Sequence, residues 1–315
     1  MKLPALLRAM RPQQWVKNIF VLAAVIFARA DVTQAHDTHD WSDVYSSLFA
    51  FAAFCLGASG IYLINDVLDR ESDRAHPTKS LRPIASGELS VPAALAASVA
   101  CIGGALGLAW ITRDGERVVM VVASYIALNA AYSLKLKQMV LVDAFCIAAG
   151  FLLRVKAGAL AAHADVSHWL MLCTLFLSLF LALCKRRAEI DLLGEDRGSH
   201  RANLRHYTPQ FLDQMVTMLA GCTVLCYTMY TVSEETTRKF GSHALAAGSS
   251  TLPPHSDLIY TVPFVVFGLG RYLLLVSQQR GGGNPTRMLL GGDAIFVLNA
   301  VAWATVTAFV VYGRL

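Results

Sequence analysis

The sequence predicts an all-α integral membrane bundle of about nine transmembrane helices, and three observations predict it. Of the 315 residues, 55% are hydrophobic and only 16% charged, against about a quarter charged in soluble domains. Apolar runs approaching or exceeding the roughly 20 residues that a crossing helix needs recur along the whole chain, at roughly 13–28, 45–64, 91–112, 118–134, 139–161, 167–184, 209–233, 257–277 and 291–312. Basic residues crowd into alternate loops between these runs.

The first run carries the flank Arg11-Pro12-Gln13-Gln14-Trp15-Val16-Lys17 and leads to Phe27-Ala28-Arg29 without a convincing cleavage site. It is therefore expected to stay as a span and not to be removed as a signal. With the N-terminus inside, the cytoplasmic segments hold 18 of the 27 Lys and Arg, the outer segments six, and Arg154, Lys156 and Arg271 fall within spans. This three-to-one bias predicts a multi-pass protein of the inner or plasma membrane, N-terminus in and C-terminus out, with the loops at 66–90 and 185–208 in the cytoplasm. The whole chain, 1–315, reads as one membrane domain. The net charge of +5 and pI near 8.8 do not signal a nucleic-acid partner, because the cations sit in short loops and form no basic domain or binding motif. All seven cysteines lie in apolar runs and read as small buried apolar residues. The partners expected are membrane lipids.

Chemistry concentrates where the second run ends, in Asn65-Asp66-Val67-Leu68-Asp69-Arg70-Glu71-Ser72-Asp73-Arg74. Residues 65, 69 and 73 are four apart and Asp66 lies three before Asp69, so on a helix Asn65, Asp66, Asp69 and Asp73 share one face. Four oxygen-bearing side chains at one mouth of a bundle suit a hard cation. Magnesium suits them best, since it takes one or two carboxylates and completes its octahedron with water and phosphate oxygens. A solvated helix end with a local pair such as Asp66–Arg70 is the plainer alternative, but it leaves like charges crowded on one face without purpose.

The stretch from Asn65 to Arg82-Pro83-Ile84-Ala85-Ser86-Gly87 resembles the first aspartate motif of the UbiA superfamily of membrane transferases. That resemblance implies a nine-span bundle around a central cavity open to cytoplasm and lipid, and transfer chemistry in which magnesium (Mg2+) holds a diphosphate, with Asp66, Asp69 and Asp73 catalytic. The chain departs from most of that superfamily after the sixth run. In place of a second aspartate motif it reads Leu183-Cys184-Lys185-Arg186-Arg187-Ala188-Glu189. A Lys185–Glu189 pair would account for part of this; a site that holds more phosphate charge than one magnesium offsets would account for all of it, since Arg and Lys are the usual phosphate clamps.

That basic motif, the Arg11–Asn18 stretch, and Asp143 through Gly150-Phe151-Leu152-Leu153-Arg154 resemble one branch, the decaprenyl-phosphate phosphoribosyltransferases. The branch implies transfer from phosphoribosyl pyrophosphate to a polyprenyl phosphate, with release of pyrophosphate and a product used for lipid-linked arabinose donors. Asn65 and the three aspartates would then hold magnesium and pyrophosphate. Lys185 and Arg186 would take the 5-phosphate or pyrophosphate, and Glu189 the ribose hydroxyls or a second metal. Arg154, an intramembrane charge that should face the bundle interior, is expected to contact phosphate or to pair with Asp143 or Glu189. Lys17, Lys79 and Arg82 are expected as phosphate contacts of the loops, Tyr132 and Lys135 as the superfamily's Tyr-x-x-Lys, and His76 as loop surface. Two alternatives stay open: a prenyl diphosphate donor with an aromatic or tetrapyrrole acceptor, and a secondary transporter, which would bind near the midplane.

The orientation is directly testable. Cysteines placed at 79 or 201 should resist a membrane-impermeant thiol reagent added to intact cells; strong labelling at either would invert the topology.

Overall fold

The structure is a computed structural model, and it describes residues 4–28, 41–76, 78–193, 206–240, 256–278 and 293–312. Its described residues are mostly helical, with no strand among them. In chain order the helices are α1 (Ala5–Met10), α2 (Ile19–Ala28), α3 (Ser42–Leu68), α4 (Arg70–Arg74), α5 (Val91–Ile111), α6 (Gly115–Leu134), α7 (Val142–Ala161), α8 (His168–Leu193), α9 (Pro209–Val232), α10 (Glu234–Phe240), α11 (Val262–Ser277) and α12 (Ala294–Tyr312). Short 3-10 segments, Pro12–Asn18 and Asp257–Thr261, lead into α2 and α11.

Eight of the expected spans are present as helices long and apolar enough to cross a bilayer: α3, α5, α6, α7, α8, α9, the 257–277 stretch and α12. The first expected span, 13–28, is different. It divides into the 3-10 segment Pro12–Asn18 and the ten-residue helix α2. Pro12 at its head and hydrogen bonds from Trp15 and Asn18 to α3 hold the first half as a tight strap. Arg197, Arg201 and Arg205 of the basic loop, like Arg280 and Arg287, lie outside the described residues.

Two of the spans start where a side chain satisfies an orphan amide. Ser90 Oγ accepts the Ala93 N–H at the head of α5, and Thr208 Oγ1 accepts the Phe211 N–H at the head of α9, each with proline in the first turn. Within the spans, hydroxyls return to their own helix: Ser124 donates to the Met120 carbonyl, Thr223 to Leu219 and Thr228 to Val224. Hydrocarbon offers no water to such groups, so internal satisfaction is required. Large apolar residues such as Val99, Trp110, Leu298 and Phe309 are exposed, as lipid contact demands.

Two compact units divide the chain. The first draws on 1–26, 39–134 and 153–165, the second on 27–38, 135–152 and 166–315. In the first, α3 packs on α5 through small residues: Gly60 sits where a Cβ would come 2.8 Å from Ile102 Cγ1, and its carbonyl accepts the Ser98 hydroxyl at 2.8 Å. Close backbone approach of this kind drives helix association in lipid, where apolar burial gives no preference. Phe54, Ala58, Ala105, Val122, Tyr125 and Ala157 belong to one buried cluster of this unit. In the second unit, Ala148, Phe180, Leu183, Leu212, Leu219 and Tyr272 form the main cluster.

The closest approach in the first unit lies between α2 and α7, where a Cβ on Gly158 would fall 1.9 Å from the Val21 carbonyl oxygen. Alanine usually gains about 1 kcal/mol over glycine inside a helix, but overpacking against backbone costs about 1–3 kcal/mol. Gly158→Ala should therefore lower the thermal midpoint of the detergent-solubilised protein; a raised midpoint would contradict this packing.

Candidate active site

The aspartate face is built by the end of α3, by α4 and by two arginines from elsewhere in the first unit. The expected single helix is bent: α3 ends at Leu68, Asp69 caps it (φ −88°, ψ 4°), and α4 restarts at Arg70. The four-residue rhythm survives the bend, because the Asp69 N–H bonds to Asn65 O and the Asp73 N–H to Asp69 O. Asp66 and Asp73 are buried, their side chains 3% exposed. Asn65 and Asp69 are half-buried.

Arg82 joins the two buried carboxylates. Its Nη1 donates to Asp73 Oδ2 at 2.6 Å and to Asp66 Oδ1 at 3.2 Å. Arg11 Nη2 donates to the same Asp66 oxygen at 2.5 Å, with its guanidinium 4.9 Å over the Tyr62 ring. In place of the alternative local pair Asp66–Arg70, Asp66 has these two longer-range partners. Arg82 is held at that place by its loop: Pro83, Ile84 and Ala85 are buried, Ile84 in a cluster with Leu63 and Ala94, the Arg74 guanidinium donates to Ala85 O, and Gly87 turns the chain at φ 85°. A side chain at 87 would be strained there.

Among the described residues, no three His, Cys, Asp or Glu side chains converge closely enough to hold a metal ion. The donor set nevertheless suits magnesium, which needs only one or two carboxylates from protein. Asp66 and Asp73 already share a single cationic nitrogen, so one cation reaches both.

The Arg11–Asn18 motif acquires a structural meaning that its sequence did not disclose. It runs along α3, with Arg11 on Asp66, Trp15 Nε1 donating to Ser59 Oγ at 3.1 Å and Asn18 Nδ2 to Cys55 Sγ at 3.3 Å. Asn18 Oδ1 in turn accepts from Arg154 Nε at 2.7 Å. Arg154 is buried, donates to the Tyr125 hydroxyl at 2.8 Å, and lies 4.7 Å from the Tyr125 ring and 5.9 Å from Phe54. Amide, phenol and aromatic faces thus contribute to solvating this intramembrane guanidinium.

In the second unit the basic motif divides its labour. Lys185 is half-exposed, 3.8 Å from Glu189. Arg186 is buried: Nε donates to Asp143 Oδ2 and Nη1 to Glu189 Oε2, both at 2.8 Å. Asp143 is fully buried and also accepts the Tyr207 hydroxyl at 3.1 Å. That hydroxyl accepts the Leu141 N–H at 2.7 Å, where Leu141 is left-handed at φ 63°, a conformation leucine adopts at a cost. Burial, and the Asp143 carboxylate after it, push the Tyr207 phenol up to about 12, so it stays a donor at neutral pH. Tyr207 carried no sequence signal. Neither did Tyr62 or Tyr125; Arg11 was visible only as part of a motif.

The remaining expected residues are spread. Lys17 is half-buried in the 3-10 strap, Lys79 exposed, Tyr132 half-buried in the last turn of α6, and Lys135 exposed. Lys156, two residues beyond Arg154, is exposed on α7. His76 is more than loop surface, since Nδ1 accepts the N–H groups of Thr78 and Lys79.

A bundle of apolar helices with an N-D-x-x-D-x-x-x-D face followed by R-P-I-A-S-G defines a class of membrane transferase. The model of the UbiA prenyltransferase family matches residues 19–300, and the chain belongs to that family. Within it, the chain is 39% identical to a decaprenyl-phosphate phosphoribosyltransferase of Corynebacterium glutamicum, over 98% of this chain and 86% of that protein. It is 35% identical to the protein of the same name from Mycolicibacterium smegmatis, over 98% and 92%. Its fold is that of a UbiA homolog from Archaeoglobus fulgidus bound to GPP and Mg2+ (TM-score 0.66, 18% identity, 96% of this chain and 99% of that one). An apo UbiA homolog from Aeropyrum pernix is also similar (TM-score 0.61, 14% identity, 97% and 99%).

Removing one partner of a buried ion pair costs about 3–5 kcal/mol. Arg186→Ala should therefore lower the thermal midpoint sharply by stranding Asp143, while Lys185→Ala leaves it unmoved. Equal midpoints for the two variants would refute the division of roles.

Proposed function

We propose that this chain, acting as one transferase domain over 1–315, moves the 5-phosphoribosyl group of phosphoribosyl pyrophosphate to a polyprenyl phosphate and releases pyrophosphate. The observation that carries this reading is the cationic Lys185-Arg186 start of the second motif, in a chain whose full-length relatives bear the name decaprenyl-phosphate phosphoribosyltransferase. The product, a lipid-linked phosphoribose, suits synthesis of arabinose donors for surface glycans.

The roles follow from charge. Leaving pyrophosphate develops negative charge at the departing oxygen, and magnesium bound by Asp66 and Asp73, with Asn65 and Asp69 beside them, would offset it. The acceptor is a phosphate monoester, largely ionised near pH 7, so no strong base is needed. What the protein must do is hold anions that repel each other. Arg82, Lys79, Lys17 and Arg154 are assigned to donor or acceptor phosphate in the first unit. In the second unit Lys185 is assigned to a donor phosphate, and Glu189 to ribose hydroxyls or a second metal. Asp143 and Arg186 support these residues from beneath. Tyr132 and Lys135 are assigned to the acceptor side. The aspartate loop faces the cytoplasm of the inner membrane in this reading, because a phosphoribosyl donor is cytosolic.

Prenyl transfer is the second reading, favoured by the family's description and by the GPP bound to the Archaeoglobus fold relative. Acidic residues hold a prenyl diphosphate through magnesium, whereas this chain has lysine and arginine at 185 and 186.

The two separate in one assay. Purified protein with magnesium, a polyprenyl phosphate and radiolabelled phosphoribosyl pyrophosphate should move label into the lipid fraction. A charge-assisted phosphate contact contributes about 1.5–3 kcal/mol, so Lys185→Ala should weaken donor use by about tenfold with a smaller effect on the lipid. Wild-type protein that ignores this donor and consumes a prenyl diphosphate would end the phosphoribosyl reading.

A further inference from the structure

Asp66 and Asp73 present a contradiction if they are to bind a metal: their side chains are 3% exposed, and what covers them is positive. Arg11 and Arg82 are themselves only 26% and 28% exposed, and their three contacts with these carboxylates run from 2.5 to 3.2 Å. A divalent ion would have to compete with both guanidinium groups for Asp66 Oδ1. Two fixed cations a few ångströms away would also repel it.

We propose that Arg11 and Arg82 are resident counter-cations of the aspartate face, which hand it over when an anionic diphosphate arrives, so that metal and donor are bound together and neither is bound well alone. The inference rests on the function proposed above and adds a residue, Arg11, and an order of events to it. Several observations fit such an exchange. Arg82 already spans two of the carboxylates assigned to holding a metal. Arg11 stands at the hinge between α1 and the 3-10 strap, in a left-handed conformation (φ 54°, ψ 60°) directly before Pro12. That backbone is disfavoured for arginine, so a rotation at this residue relieves strain while swinging the side chain away. The Tyr62 ring under the guanidinium gives the cation a surface to slide on without returning to bulk water. Once displaced, both arginines lie beside the metal with five donors each, the geometry that binds phosphate oxygens by two parallel bonds. Opposite charges are paired in both states: carboxylates with arginines before, carboxylates with metal and arginines with diphosphate after.

A purely structural pair and an exchangeable one differ in sign. If the arginines only hold the fold, removing one weakens every ligand. If they compete with the metal, removing one strengthens the metal and weakens the anion. Manganese serves as a paramagnetic probe of the magnesium site, titrated against the full-length protein in detergent and followed by electron paramagnetic resonance, first as the free ion and then as the preformed manganese–pyrophosphate complex. Wild-type protein should take up the complex much more tightly than the free ion. Arg11→Gln should bind the free ion about tenfold more tightly, an effect of about 1.4 kcal/mol, and the complex about tenfold more weakly. Arg82→Gln, measured in parallel, should show the same crossing and keeps the test alive if Arg11→Gln does not fold. Free-ion affinity that is unchanged or reduced in the folded variants overturns the exchange. Label transfer by wild type with no crossing in the variants would leave the proposed function standing and this proposal fallen; crossing without transfer would do the reverse.

Discussion

A buried ionic group surrounded by hydrocarbon survives only if the protein supplies a counter-charge or a polar shell, because the idealised cost of taking one ion from water into an apolar medium is of order 20 kcal/mol. The recurring motifs of this chain can be read as answers to that constraint. Asp143 has Arg186 and Tyr207; Asp66 and Asp73 have Arg82 and Arg11; Arg154 has Asn18, Tyr125 and two aromatic faces. Remove the pairing requirement and there is no reason for Tyr207 to return to the head of α7, or for the Arg11–Asn18 strap to run along α3 as a 3-10 segment. The small-residue contact of α3 with α5 at Gly60 then sets the frame against which those pairs are positioned.

The spans were legible because hydrocarbon selects composition so strongly that length and apolarity alone mark a crossing helix. The aspartate motif was legible because its spacing is local: residues three and four apart meet on a helix whatever the rest of the chain does, and the rhythm persists through the bend at Asp69. What stayed hidden is long-range. Arg11 and Asp66 are 55 positions apart, Tyr207 and Asp143 64, and Arg154 and Asn18 136, and no periodicity encodes such pairs. The winding of the first expected span was hidden for the same reason: Trp15 and Asn18 find partners on α3, and Pro12–Asn18 winds as a 3-10 segment before the α-helix Ile19–Ala28. The burial of Arg186 against Asp143 was hidden likewise, because charge is visible in sequence and burial is not.

Lys185 and Arg186 show how one motif can serve structure and chemistry together. Adjacent residues on a helix point about 100° apart, so when one is turned into the core the other is turned away from it. The residue types match those fates. Arginine is weakly hydrated and presents a fork of donors, and here it spans two carboxylates, Asp143 and Glu189, at 2.8 Å each. Lysine is a strongly hydrated point charge on a flexible stem that reaches for water, and at 185 it keeps half its surface exposed. Exchanging the two would bury an ammonium that cannot span both carboxylates and expose a guanidinium that no longer orders Asp143. The order Lys-Arg is therefore a physical requirement of this helix, and the buried pair is what fixes the direction in which the exposed cation points.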